Sequence, residues 1–173
     1  DLSKTLKQFS QKPGKLALIP TMGNLHDGHL SLVRLAKLNA VKTITTIFVN
    51  PLQFGKNEDY DKYPRTEETD IKKLTKEKCD ILFIPINKNE VFPEYEQVKR
   101  IESGKLGNEL CGKIRPGHFN GVLTVVNKIF EIIKPDIAIF GAKDYQQQIL
   151  IKQMAKSLHP YLYLLKAPII RSN

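Results

Sequence analysis

Five short apolar runs alternate with longer amphipathic ones along this chain, and that alternation restricts it to folds built from parallel βαβ units. The strand-like runs are Lys15 to Pro20, Thr43 to Asn50, Asp80 to Pro85, Asp136 to Phe140 and Tyr161 to Leu165. Their near-continuous apolar character suits strands covered on both faces. Helical periodicity appears over Gly28 to Asn39, Glu67 to Lys78, Val122 to Ile133 and Tyr145 to Ser157. In the third, Val122, Val125, Val126, Ile129 and Ile133 repeat at three and four, so that face packs inward. Pro135 stops that helix. The expected fold is α/β, a parallel sheet with helices on both faces, and 173 residues suffice for one domain with a full core.

In such a sheet the ligand sits outside the carboxyl ends of the strands, where the topology switches. Polar segments that follow the strands should therefore converge on one crevice. The first, Ile19-Pro-Thr-Met-Gly-Asn-Leu-His-Asp-Gly-His29, runs from a strand through a glycine turn into a helix. Free backbone N–H groups and the positive end of the helix dipole make that turn a place for phosphate. His26 and His29 project from nearly one face of the first helical turn. Imidazoles there donate to phosphate oxygens and, when cationic, offset the charge that builds as pyrophosphate departs. Gly28, lacking a Cβ, admits a ligand close to the backbone, and Thr21, Met22 and Gly23 complete the turn. A bare His-x-x-His also fits one capping and one solvated imidazole, or a zinc pair; the surrounding glycines favour phosphate.

Other loops supply further polar groups. Asn50 and Gln53 follow the second strand, and their amides suit the hydroxyl and carboxylate of a small substrate, or equally a hydrogen-bonded turn. Gly141, Lys143 and Asp144 form a second glycine turn entering a helix. There Lys143 can neutralise phosphate oxygens, while Asp144 can cap the helix or bind a ribose hydroxyl or a metal. Of Gln146, Gln147 and Gln148, only one or two can face the crevice. Arg115-Pro-Gly-His-Phe-Asn-Gly121 reads as a polar loop ahead of a helix capped near Asn120 or Gly121, with Arg115 and His118 suited to an anion or to a surface salt bridge. The charged and aromatic segment 57–65 suits a mobile cover or an ordinary surface loop.

The formal net charge of +9 raises the question of nucleic acid. Its lysines are scattered, Lys72, Lys73, Lys76 and Lys78 alternating with Glu77 and Asp80, and no basic run carries stacking aromatics. A solvated surface biased toward small anions is expected, with no nucleic-acid partner. Cys79 and Cys111 lie far apart without Cys-x-x-Cys spacing, which suits free thiols in a reducing compartment. No apolar run reaches the length of a membrane span, and the first residues lack the order of a signal peptide. The expectation is a soluble cytoplasmic protein with no membrane partner.

Read together, the loops resemble the pantothenate synthetase family. Pro20-Thr-Met-Gly-Asn-Leu-His-Asp-Gly-His29, Phe48-Val-Asn-Pro-Leu-Gln-Phe54, Tyr63-Pro-Arg-Thr66, His118-Phe-Asn-Gly-Val-Leu-Thr-Val-Val126 and Phe140-Gly-Ala-Lys-Asp-Tyr-Gln-Gln147 resemble its signatures, in family order. The resemblance implies a Rossmann-like domain of the nucleotidylyltransferase type over 1–173, a homodimer, and ATP used with Mg2+, held mainly through the ATP phosphates, to join pantoate to β-alanine through a pantoyl adenylate. By position, Thr21, Met22, Gly23, His26, Gly28, His29, Gly141, Lys143, Asp144 and Ile170 would line the ATP site. His29 would be the proton donor, with His26 and Lys143 beside it in catalysis. Asn50, Gln53 and Gln147 would face pantoate and β-alanine, joined by Arg115 and His118 as anion-binding candidates, and Asp70 lies near where the family has acidic residues close to the metal. Two departures stand out: Ala142 replaces the usual glutamate of Gly-Glu-Lys-Asp, and the family's second phosphate loop and smaller C-terminal domain have no counterpart in this chain. The alternatives are another adenylyl- or cytidylyltransferase, or a nucleotide-binding fragment without turnover.

Overall fold

The structure, a computed structural model, describes residues 2–10, 14–55, 58 and 60–170. Five parallel strands form its frame: β1 (Leu16–Thr21), β2 (Lys42–Ile47), β3 (Ile81–Phe83), β4 (Ile137–Gly141) and β5 (Tyr163–Ala167), in the order β3-β2-β1-β4-β5. The chain steps outward from β1 to β3, crosses back to the far side of β1 with β4, and ends at β5. Direction thus reverses between β1 and β4, which puts the crevice at their carboxyl ends.

Among the described residues seven α-helices accompany the strands: α1 (Leu2–Ser10), α2 (Asp27–Asn39), α3 (Glu67–Lys76), α4 (Lys88–Val91), α5 (Cys111–Ile114), α6 (His118–Ile133) and α7 (Tyr145–Leu158). Alternation along the strands divides the core between two faces. Ala17, Ile19, Ile137 and Ile139 pack with Leu32, Val33 and Ala36 of α2 and Leu74 of α3. Leu18, Ile44 and Ala138 pack the other way, against Val122, Val126, Ile129 and Phe130 of α6 and Leu150, Ile151 and Met154 of α7. Helices cover both faces, as the unbroken apolar strand sequences require.

Several boundaries differ from the sequence reading. Helix α6 begins at His118, four residues before Val122: Gly117 enters it with φ 79°, and the polar first turn conceals a buried Phe119. Asn120 is therefore inside the helix, not its cap, and its Oδ1 accepts from Ser103. Strand β2 stops at Ile47 because the chain then bends into a 3-10 turn over Pro51–Gln53. Strand β5 starts at Tyr163, opposite Ile137, two residues later than expected. Helix α1 was not anticipated, although Leu2 and Leu6 stand four apart and both pack on the core. Of the segment expected as a cover, Asn57 and Asp59 lie outside the described residues.

One contact sets how closely α6 approaches the crevice. A Cβ on Gly121 would stand 2.1 Å from the Leu52 carbonyl oxygen and 2.6 Å from the Gln53 nitrogen, so backbone meets backbone there. Gly121→Ala should force the turn at Pro51–Gln53 away from α6 and cost about 1–3 kcal/mol of stability. Urea denaturation measures this, and an unchanged midpoint would contradict the close approach.

Candidate active site

Strand β1 ends at Thr21, whose Oγ1 donates to the Thr46 carbonyl at 2.7 Å and accepts from Gly23 N–H at 3.3 Å. Gly23 and Asn24 then take left-handed conformations, φ 84° and 50°, and turn the chain into α2. His26 is the N-cap. Its Nδ1 accepts the Gly28 N–H at 3.1 Å, while the His29 Nδ1 accepts the His26 N–H at 3.3 Å, a capping box made by two imidazoles.

A ring nitrogen that accepts carries no proton, so the partners assign both neutral rings as the Nε2–H form. The rings lie 4.2 Å apart, tilted by 46°. Each therefore presents an N–H donor on the side away from the backbone that it caps. Among the described residues, only Asp27 lacks a partner for its N–H in the stretch from Gly23 to Leu30. The expected cradle of free backbone donors is thus corrected, and what the turn offers an anion is imidazole Nε2–H. Gly28 has a further reason: a Cβ there would meet the His26 Cε1 at 2.8 Å, so the glycine also makes room for the capping ring.

The His29 pKa is lowered to about 4, by burial first and then by the neighbouring His26 and Lys143, with Asp70 and Asp144 opposing. At neutral pH His29 is an uncharged donor, which corrects the expectation of a cationic ring. The positive charge at this edge comes from Lys143, exposed on the turn after β4. Asp144 stands at the N-cap of α7 and makes no side-chain capping bond.

The acceptor half is built on the turn after β2. Asn50 is 1% exposed: its Nδ2 donates to Gln53 Oε1 and the Gly121 carbonyl, both at 3.1 Å, and its Oδ1 accepts from Leu52 N. Its amide is consumed within the protein. Gln53 is buried as well, its Oε1 accepting from Asn50 and its Nε2 donating to the Met22 Sδ at 3.0 Å, which ties β2's turn to β1's. Behind them, His118 Nδ1–H donates to the Gln53 carbonyl at 2.8 Å and its Nε2 accepts from Arg115 at 3.0 Å. Arg115 in turn makes a two-pronged pair with Glu58, whose carboxyl it holds well below the usual range. Burial also lowers the His118 pKa. Arg115 and His118 thus brace Gln53, and of the two readings the sequence left open, an anion or a salt bridge, Arg115 makes the salt bridge, with Glu58.

Among the three glutamines, Gln146 reaches Leu106, Glu109 and Cys111, and Gln148 folds back on the carbonyls of Phe140 and Gly141. Gln147 makes no side-chain hydrogen bond among the described residues and is half-buried in the first turn of α7. Ile170 is 46% exposed, three residues beyond β5, with nothing joining it to the other candidates. Met22 and Gly23 also border a cleft of about 230 Å3 that runs past Tyr60 and Arg65 to Asn87 and Lys88.

A model of the pantoate-beta-alanine ligase family matches residues 1–173. The chain belongs to that family. It is 53% identical over 156 residues to a pantothenate synthetase of Neisseria meningitidis serogroup B, covering 90% of this chain and 56% of that one. Against a pantothenate synthetase of Thermoanaerobacter it is 48% identical over 173 residues, covering 100% and 60%. The pantoate-beta-alanine ligase of Francisella tularensis, solved with beta-gamma ATP and beta-alanine, superposes with a TM-score of 0.90 at 39% identity, over 98% of this chain and 66% of that one. The chain spans 56% to 60% of the length of these curated relatives.

Family membership directs attention to residues that composition and spacing underrated. Asp70 is fully buried on α3, and its oxygens accept from Asn24 N at 2.9 Å, Leu25 N at 2.8 Å and Thr66 Oγ1 at 3.0 Å. It is an anchor and not an open metal ligand. Among the described residues, no group of three His, Cys, Asp or Glu could hold a metal ion. Glu58 was missed as well, because its partner lies 57 residues away and no local pattern announces it.

The charge state of His29 is directly measurable. Its folded pKa of about 4 lies below the ordinary 6.5, so from pH 6.5 down to 4 the unfolded chain binds a proton that the folded one refuses. This term in stability is fully present above pH 6.5 and is lost as pH falls toward 4. An NMR titration of the ligand-free protein should give the His29 ring a midpoint near 4; a midpoint near 6.5 would contradict the burial.

Proposed function

We propose that the protein carries out the ATP-dependent condensation of pantoate with β-alanine through a pantoyl adenylate, releasing pyrophosphate and then AMP. Family membership supports this reading, as does the Francisella relative solved with beta-gamma ATP and beta-alanine. The observation that carries it is the paired Nε2–H donors of His26 and His29, with Lys143 near enough to depress the His29 pKa. The segment that offers Gln53 sits beside that turn.

A pantoate carboxylate is ionised at neutral pH and needs no base. Its oxygen attacks the α-phosphorus, the bond to the β-phosphate bridging oxygen breaks, and pyrophosphate leaves with the electron pair. The β-alanine amine then attacks the acyl carbon, sheds a proton, and AMP departs as the amide forms. Catalysis is alignment and charge stabilisation. His26 and His29 donate to phosphate oxygens, and Lys143 brings the full positive charge. Gln53 and Gln147 hold the hydroxyl and carboxylate of pantoate, with Asn50, His118 and Arg115 keeping Gln53 in place. Thr21 to Gly23, Gly28 and Gly141 line the nucleotide, Asp144 faces its ribose, and the backbone of Ile170 faces adenine.

Mg2+ would be held mainly through the ATP phosphates and would supply charge neutralisation there; among the described residues no group of three His, Cys, Asp or Glu could hold it alone. A homodimer working in the cytoplasm completes the proposal. Within the described residues no helix is long and apolar enough to cross a membrane.

Exchange of labelled pyrophosphate into ATP tests the first step. It should require pantoate and fall about 10²–10³-fold in His29→Ala, with the circular dichroism spectrum retained. Exchange supported equally by unrelated carboxylic acids, or a variant of near-normal rate, would sink the assignment.

A further inference from the structure

Two successive N–H groups of the turn, those of Asn24 and Leu25, point away from the crevice and into the protein. Such a pair, next to left-handed residues, forms a concavity suited to an anion. Here the protein supplies the anion itself. Asp70, one turn into α3, takes Leu25 N–H on Oδ1 and Asn24 N–H on Oδ2, and Thr66 Oγ1, on the residue that precedes α3, donates to the same Oδ2. One turn further along α3, Lys73 Nζ donates to the Leu25 carbonyl. Both polar groups of the Leu25 peptide are thus taken by one helix, immediately before the capping histidine.

We propose that Asp70, with Lys73, is a positioning residue that fixes the two imidazoles as Nε2–H donors. Position 23 leaves no slack, since a Cβ there would lie 3.2 Å from the Asp70 Oδ2. Asn24 keeps φ 50° in a region unfavourable to a side chain because both flanking peptides are tied down. Release the Asn24 and Leu25 N–H groups and the His26 backbone is no longer presented to the His29 Nδ1. The cap then loses the bond that excludes a proton from that nitrogen. Asp70 also faces His29 electrostatically, raising its pKa together with Asp144 against the lowering by His26 and Lys143.

The functional consequence rests on the reading of this turn as the phosphate side of the site, whereas the structural one does not. The test is NMR on the intact protein with Asp70→Asn. An asparagine has a similar shape but a single acceptor oxygen and no charge. Amide exchange at Asn24 and Leu25 should accelerate at least tenfold while that of Ile19 and Ile44 is unchanged, and the His29 ring should populate the Nδ1–H form. Its titration midpoint should also fall. Asp144→Asn, which alters charge without touching the clamp, should lower the midpoint and leave both amides protected. If Asp70→Asn does not fold, Thr66→Val and Lys73→Met remove one supporting bond each and should produce smaller changes of the same kind. Unchanged amide protection and ring tautomers in the variants that fold would overturn the proposal. Altered rings in a protein without pantoate-dependent exchange would leave it standing and defeat only the functional reading.

Discussion

A strand that must turn sharply into a helix leaves backbone groups that neither element can satisfy, and the β1–α2 turn is organised by how that problem is solved. Peptides 24 and 25 are taken by α3, and peptides 26 and 28 by imidazole nitrogens. Buried polar groups left unpaired cost more than a typical hydrogen bond contributes, so the arrangement is fixed from both sides. The side chains most often associated with phosphate chemistry are first of all parts of a helix cap. Their donors are available to a ligand because their acceptors are occupied by the chain.

The second half of the crevice has a different origin. Close approach of α6 at Gly121 places the Asn50 amide against a helix backbone, and Asn50 then saturates itself and hands Gln53 forward. The His118 ring, in the first turn of the same helix, takes the Gln53 carbonyl, and the Arg115–Glu58 pair backs it. Because Gln53 reaches the Met22 sulfur, the two halves meet at the end of β1. Geometry at the centre is therefore set by groups that do not themselves touch a ligand, an arrangement that preorganised sites require.

Much of this was legible in the sequence. Strand existence and the parallel class follow from apolar runs alternating with amphipathic ones, because burial on both faces imposes that pattern. The His-x-x-His turn and the Asn50–Gln53 turn were visible as polar residues at the ends of such runs. What stayed hidden was the destination of each polar atom. Asn50 and Gln53 are alike in sequence, yet the Asn50 Nδ2 ends on the Gly121 carbonyl and the Gln53 Nε2 on the Met22 sulfur, destinations that no local pattern announces. Asp70 looked like one acidic residue on a charged helix, and its role depends on a peptide 45 positions earlier. The start of α6 was obscured because a histidine and an asparagine interrupt its apolar face for reasons of tertiary contact.

The neutral state of His29 follows from the same packing. Two imidazolium ions at 4.2 Å would repel by roughly 4 kcal/mol at an effective dielectric of about 20, on top of the cost of burying charge beside Lys143. A cap that needs both Nδ1 atoms as acceptors cannot tolerate protonation there either. Charge and direction are consequently divided between elements: the exposed ammonium of Lys143 on the β4 turn provides the field, and the two rings provide fixed N–H vectors. A negative charge facing Nε2 is what those vectors suit. It strengthens those donors without disturbing the acceptors that hold the rings in place.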